Sequence, residues 1–331
     1  MKLQNSITDV GNLLVGHAQD FDAITGCTVI LSPSGAIGGI SQRGGAPGTR
    51  ETDLLRPMHM VENVHAILLS GGSAYGLDAA GGVMHWLENK KIGFRTDSAI
   101  VPIVPAAIIY DLSIGNPKIR PDAKMGFQAC ENASKIKPQE GNFGCGTGAS
   151  VGKIFGMSQA MKAGIGTSSR PIGNGAIIGA IAVVNAFGDI IDTDSRKIIA
   201  GARSINRNSL ENDSQDYFAD TLKVMNSIIG RGILSIAGKH NTVIGVIATN
   251  VKLSKEQANK FAESASDGIT LAVRPAFTMF DGDTVFSLST GTKKLDLNIL
   301  CAFAPLVFAD AIRNAVLTAE TIGKLPSIKS K

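Results

Sequence analysis

Short apolar runs with strand-like composition alternate along this chain with stretches whose apolar residues recur at helical spacing. Residues 24–31 (ITGCTVIL) and 35–40 (GAIGGI) read as strands, and the Ser32-Pro33-Ser34 between them is a hairpin signal followed by a Gly-rich stretch over 43–48. Residues 64–69 (VHAILL) form a strand that ends in a Gly-Gly-Ser turn. A helix follows, because Ala79, Val83, Met84 and Leu87 share one face and Lys90 and Lys91 close it. Residues 99–110 (AIVPIVPAAIIY) are apolar, but Pro102 and Pro105 confine them to an edge or bulged strand. A helix over 127–134 and a central strand over 177–185 (IIGAIAVVN) come next, then an Ala-Phe-Gly-Asp turn and the short strand Ile190-Ile191.

The stretch 204–220 is the least core-like part of the chain. Its NRNSLENDSQD run is polar and nearly free of hydrophobes, as in an exposed loop. Beyond it the pattern gives a helix over 222–229 and a strand over 243–249. In SKEQANKFAESASDGI, Ser254 caps a helix, Gln257 completes the capping box and Gly268 closes it. A strand over 284–288 and an apolar helix over 301–322 finish the chain. Helices and strands mix without strict alternation, which predicts a layered α+β architecture.

Composition narrows the class. A length of 331 residues fits one large domain or two medium ones, and 44% hydrophobic content supplies a sizeable core. Thirty-eight glycines against 18% charged residues imply many tight turns and close backbone approaches. The net charge of +4 is spread without a basic run of five, so neither a nucleic acid nor a membrane surface is an expected partner. Asp310, Arg313 and Glu320 interrupt the 301–322 helix, and MKLQNSITDVGN lacks the apolar core of a signal peptide; a soluble, cytoplasmic protein is expected. The four cysteines are far apart in sequence, with no zinc-like spacing, and read as reduced thiols.

Several motifs suggest chemistry and fail on context. Gly148-Ala-Ser150-Val-Gly152 matches a nucleophile elbow, but 141–146 is no strand, so a structural Gly-rich loop is the better reading. As a phosphate loop the same stretch has Thr147 in place of the first Gly and Ile154 in place of the Ser or Thr that binds magnesium. The five histidines form no metal or triad motif and read as structural or surface residues. Taken alone, Asp281-Gly282-Asp283 is a hairpin turn. In GKHNTVIGVIATN, Thr242 opens a buried run behind His240 and Asn241, which suits either a strand start or a nucleophile exposed by cleavage.

Eight segments in order sharpen these choices: ITDVGNLLVGH, TGCTVIL, SGGSAYGLDAAGGVMHWLE, VPIVPAAIIYDL, GTGASVGK, MKAGIGTSSR, NTVIGVIATN and DGDTVFSLSTG. Together they resemble the DmpA-type aminopeptidases and nylon-oligomer (6-aminohexanoate-oligomer) hydrolases, with the oligomer-hydrolase branch the nearer. The resemblance implies one domain built as a four-layer αββα sandwich, cut by the protein itself into 1–241 and 242–331. It places Thr242 as the N-terminal nucleophile and Asn241–Thr242 as the cleavage site. By the same resemblance Asp281 and Asp283 orient the nucleophile, Lys162 lies beside it, Asn185 serves the oxyanion hole, and Tyr110 is a substrate-binding residue. An Asn-Thr cut site and paired aspartates look like the oligomer-hydrolase branch; the DmpA branch has Gly-Ser, and a Ser and a Glu. No metal or organic cofactor is implied, the partner is a small peptide or amide, and a homo-oligomer, commonly a tetramer, is expected.

The chemistry stands on its own terms. A threonine hydroxyl needs a base, and an N-terminal α-amine, with a reference pKa of about 7.7–8.0, can serve near neutrality once cleavage has freed it. Two rival readings remain open. One is acyl transfer in the manner of ornithine acetyltransferases, which requires an amine acceptor to outcompete water; the other is an unprocessed, non-catalytic binding protein, disfavoured by the retention of Thr242, Lys162, Asn185 and both aspartates.

Overall fold

The computed structural model describes residues 3–205, 217–228, 230, 232 and 241–330. The polar run 206–216, the residues 238–240 ahead of Asn241, and the end of the helix expected at 222–229 fall partly or wholly outside them. What is described of that helix is Thr221–Asn226.

Among the described residues nine strands hydrogen-bond into one extended sheet, and apolar residues on alternate faces of its strands build the three largest cores. In the Thr242–Val251 strand, Val243 and Ile247 face the helices Lys255–Ala272 and Leu297–Leu317, whereas Ile244, Val246 and Ala248 face inward. Those inward residues meet Ile30, Ile67 and Leu69 from the other half of the sheet. On its outer face, Val29, Leu31, Ala66 and Leu68 pack beneath the helices Ala79–Asn89 and Ala123–Glu131. The order is helix, sheet, sheet, helix. This is the expected αββα sandwich, and strict period-2 alternation is what lets one strand serve two cores.

The strand Thr25–Gln42 joins the two sheet halves. Its first part pairs with Leu14–Asp20 and Asn63–Ser70; its last part pairs with Thr284–Lys293. The expected hairpin at Ser32-Pro33-Ser34 is therefore corrected. The strand continues through it with a register shift between Leu31 and Ala36, and Gly35 at φ 79° takes up the distortion.

Three helix bounds also differ from the sequence reading. The helix expected over 127–134 is Ala123–Glu131, started by the Asp122 side chain, which accepts the Met125 N–H. The capping box at Ser254 and Gln257 forms, but the helix passes Gly268 and ends at Ala272. Gly268 is where the last helix crosses: an added Cβ would lie 2.4 Å from the carbonyl of Pro305, so the glycine permits close packing and does not end the helix. The apolar helix spans Leu297–Leu317 and packs on the sheet, with Asp310 paired to Arg170 and Arg313 to Asp192.

Candidate active site

The ends of three strands place the candidate residues together. Asn185 is the last residue of the Ile177–Asn185 strand and pairs in register with Thr242, the first residue of Thr242–Val251. On the other side of Thr242–Val251, the strand Thr284–Lys293 runs parallel, and Asn241 bridges to Asp281 just ahead of it. Asp281-Gly282-Asp283 thus leads into a parallel neighbour, which corrects the hairpin-turn reading. Thr242, Asn241, Asn185, Asp281 and Asp283 are all buried, Thr242 at 4% exposure.

The Thr242 hydroxyl donates to the carbonyl oxygen of Asn241, its own neighbour. That carbonyl oxygen also accepts the backbone N–H of Gly282 at 2.8 Å. Asp283 accepts the amide of Val243 at 2.7 Å and that of Phe277 at 3.1 Å. Burial, with Asp281 nearby, pushes the Asp283 carboxyl up to about 7, and burial raises Asp281 as well. Asp281 is held by the amide and hydroxyl of Thr278 at 2.8 and 2.6 Å.

The Gly-rich stretch at 43–48 fixes this aspartate segment from behind. Ala46 N–H donates to Asp281 O at 2.8 Å, Arg43 N–H to Asp283 O at 3.1 Å, and Gly45 N–H to Thr278 O at 3.1 Å. A Cβ on Gly44 would fall 2.2 Å from Asp281 O. Backbone, not side chain, has to fit there.

The two lysines of the Gly-rich region divide differently from the sequence reading. Lys162 is fully buried, and its ammonium donates to the carbonyls of Gly146 and Ala149, each at 2.9 Å, and of Ala163. It braces the GTGAS loop from beneath. Lys153, which closes GTGASVGK, reaches the pocket and donates to Asn185 O at 2.9 Å and Oδ1 at 2.7 Å. Burial lowers each lysine to about 7; the carboxylates of Asp281 and Asp111 partly offset this at Lys153, and that of Asp111 does so at Lys162. Sequence reasoning missed Lys153, although it lies in one of the eight segments, because only the fold brings its ammonium to Asn185, 32 residues away.

A pocket of about 170 Å³ opens over this cluster, lined by Tyr110, Asp111, Ser150, Lys153, Met157 and Asn241 among others. Thr242 lies behind Asn241. The Asn185 side chain accepts Ser150 N–H at 3.1 Å and donates its amide to Tyr110 O at 3.0 Å, which ties the pocket wall to the strand end. Asp111 accepts Thr25 Oγ1 and Gly72 N–H, both at 2.7 Å, and anchors the Gly-Gly-Ser turn. Ser150, the elbow serine, is buried and bonded within this wall. Among the described residues no cluster of three His, Cys, Asp or Glu is arranged to hold a metal.

What the arrangement permits is acyl chemistry: a hydroxyl, a carbonyl beside it with an amide donor on its oxygen, two buried carboxylates and a buried amine. Comparison with known proteins agrees with that. Residues 5–326 match the sequence profile of peptidase family S58. An uncharacterized aminopeptidase of Mycobacterium tuberculosis (strain ATCC 25618 / H37Rv) is 39% identical over 348 residues, covering 98% of this chain and 97% of the relative. A 6-aminohexanoate-oligomer endohydrolase of Kocuria sp. (strain KY2) is 33% identical over 285 residues, covering 85% and 74%. Among solved structures, the L-aminopeptidase D-Ala-esterase/amidase of Ochrobactrum anthropi superposes with a TM-score of 0.71 at 20% identity, over 97% of this chain and 88% of that one, and shows the same fold.

Proposed function

The chain belongs to peptidase family S58 and is a hydrolase of peptide or amide bonds, and from that premise we propose that it matures by cutting its own Asn241–Thr242 bond. The observation that carries this reading is the position of Thr242: its hydroxyl abuts the Asn241 carbonyl, and Asn241 stands between it and the pocket. Before the cut, the attacked carbonyl is the chain's own; once Asn241 withdraws, the same hydroxyl faces the pocket.

In the proposed reaction the Thr242 oxygen adds to the Asn241 carbonyl carbon as its proton passes to Asp283. The intermediate collapses with loss of the C–N bond, the proton goes to the Thr242 nitrogen, and water hydrolyses the resulting ester. The products are a carboxylate on Asn241 and a free α-amine on Thr242. That amine then serves as base for attack on a substrate amide, giving an acyl-enzyme. Lys153 supplies positive charge beside Asn185 and Asp281, and Lys162 holds the loop that forms the wall. The substrates we propose are small peptides or amides with a free amino end, including linear ω-amino-acid oligomers. We place the processed protein in the cytoplasm as a homo-oligomer, a tetramer of processed protomers.

Denaturing electrophoresis with intact-mass measurement tests the cut. Wild-type protein is expected as 1–241 and 242–331, with Thr242→Ala remaining a single chain; a single full-length band from folded, aged wild type refutes self-cleavage. Native mass measurement on the same sample reads the assembly, and a monomer would refute the oligomer. Amide hydrolysis without an added amine acceptor separates a hydrolase from an acyltransferase.

A further inference from the structure

Resting on the self-cleavage reading, we infer that the backbone amide of Gly282 is the oxyanion donor of that cleavage, and that residue 282 is glycine because the Ala46 carbonyl on one side and the attacking hydroxyl on the other leave no room for a side chain. The two aspartates draw attention to their carboxylates, but the atom of this segment that touches the scissile carbonyl is the nitrogen between them. Gly282 N–H meets Asn241 O at 2.8 Å. The geometry is fixed from both sides: Asn241 N–H donates to Phe280 O at 3.1 Å, and Ala46 and Arg43 hold the carbonyls of Asp281 and Asp283. A donor immobilised in this way needs no rearrangement when charge develops, which is the condition under which such bonds accelerate a reaction.

Space gives the second, independent indication. A Cβ on Gly282 would lie 3.0 Å from Thr242 Oγ1 and 2.7 Å from Ala46 O. An ordinary residue could still donate its N–H but would be driven off the Ala46 carbonyl and onto the nucleophile. When the Thr242 oxygen bonds to the Asn241 carbon, the carbonyl π pair moves onto Asn241 O, where the Gly282 N–H already points. When the C–N bond breaks, the pair returns, the proton taken from the hydroxyl goes to the Thr242 nitrogen, and the ester forms.

The same hydrogen bond is also a rung of the parallel ladder, so the test has to separate stabilising the sheet from stabilising the oxyanion. The full chain made by cell-free translation, with an ester replacing the amide at Gly282, loses the donor and also weakens Asp281 O as the acceptor of the Ala46 N–H. A matched chain with the ester at Ala46 loses the 2.8 Å bond to Asp281 O, on the same segment but away from the scissile carbonyl. In the protease-resistant, folded fraction, the Gly282 ester is expected to cut about 100- to 1000-fold more slowly than wild type, and the Ala46 ester within about tenfold. Equal slowing by the two esters, or wild-type cutting by the Gly282 ester, overturns the inference.

Should the ester chain not fold, Gly282→Ala carries the question. It is expected to fold and cut slowly, and Gly282→Ala with Thr242→Ser is expected to cut faster than Gly282→Ala alone, since serine lacks the methyl that fixes the hydroxyl. Wild-type cutting by Gly282→Ala overturns the spatial half. Failure of wild type to cut at all refutes the processing reading itself and so is told apart from failure of this inference.

Discussion

Replacing Asp283 by asparagine removes the carboxylate while keeping its shape, and the structure sets the size of what should follow. Burial lifts this carboxyl from 3.8 to about 7. At pH 5 only about 1% of a group with that pKa is ionised, whereas an ordinary aspartate would be more than nine-tenths ionised. If Asp283 takes the Thr242 proton, wild-type self-cleavage at pH 5 should therefore run about 100-fold below its plateau, rising tenfold per pH unit and levelling near pH 7. A general base is worth about 100- to 10,000-fold, so Asp283→Asn should fall by that factor and lose the break. The carboxamide keeps one acceptor for the N–H groups of Val243 and Phe277 and turns its NH2 toward the other, at a cost of about 1–3 kcal/mol.

Stability moves in the opposite sense with pH. The folded chain retains a proton that the unfolded chain loses above 3.8, so this contribution is present in full below pH ~4 and is lost as pH rises through about 7, on the order of 4 kcal/mol. Asp283→Asn should lack that fall. The assay is a time course of cutting at pH 5 to 9 on chain made at pH 5, read by denaturing electrophoresis, with denaturant midpoints of uncut Thr242→Ala and of its double variant with Asp283→Asn. A wild-type rate that is flat from pH 5 to 8, or an asparagine variant with the wild-type profile, would refute Asp283 as the base.

The two lysines should separate cleanly. Lys153→Met is expected to melt near wild type and to lose tenfold or more in cutting and turnover, whereas Lys162→Met removes the ammonium that ties together the carbonyls of Gly146, Ala149 and Ala163 and should chiefly lower the melting temperature. Differential scanning fluorimetry beside the cutting assay checks both, and the reverse pattern would exchange their roles. Gly44→Ala, far from Thr242 in sequence, should slow self-cleavage sharply because its Cβ drives into Asp281 O at 2.2 Å; unchanged cutting would mean that the 43–46 segment does not position the aspartates.

Much of the fold was legible because it is local. Ile177–Asn185 and the capping box at Ser254 follow from period-2 and period-3.6 patterning and from a side chain reaching its own backbone three residues on. The ordered segments likewise pointed to Thr242, Asn185 and the two aspartates, and the structure gathers these at one end of the sheet. What the chain could not disclose by itself depends on partners far away in sequence. Ser32-Pro33-Ser34 carries a turn signal, yet the strand passes through, because its two halves pair with different layers. Lys153 and Lys162 are alike as residues; only packing sends one ammonium to the pocket and the other to three loop carbonyls. Asp281-Gly282-Asp283 has the composition of a hairpin, and only its contacts with 43–46 and Asn241 turn a backbone N–H toward the bond before Thr242. Residue type and spacing specify which face a side chain takes, whereas the direction of a buried donor is decided by which distant acceptors the folded chain brings within reach.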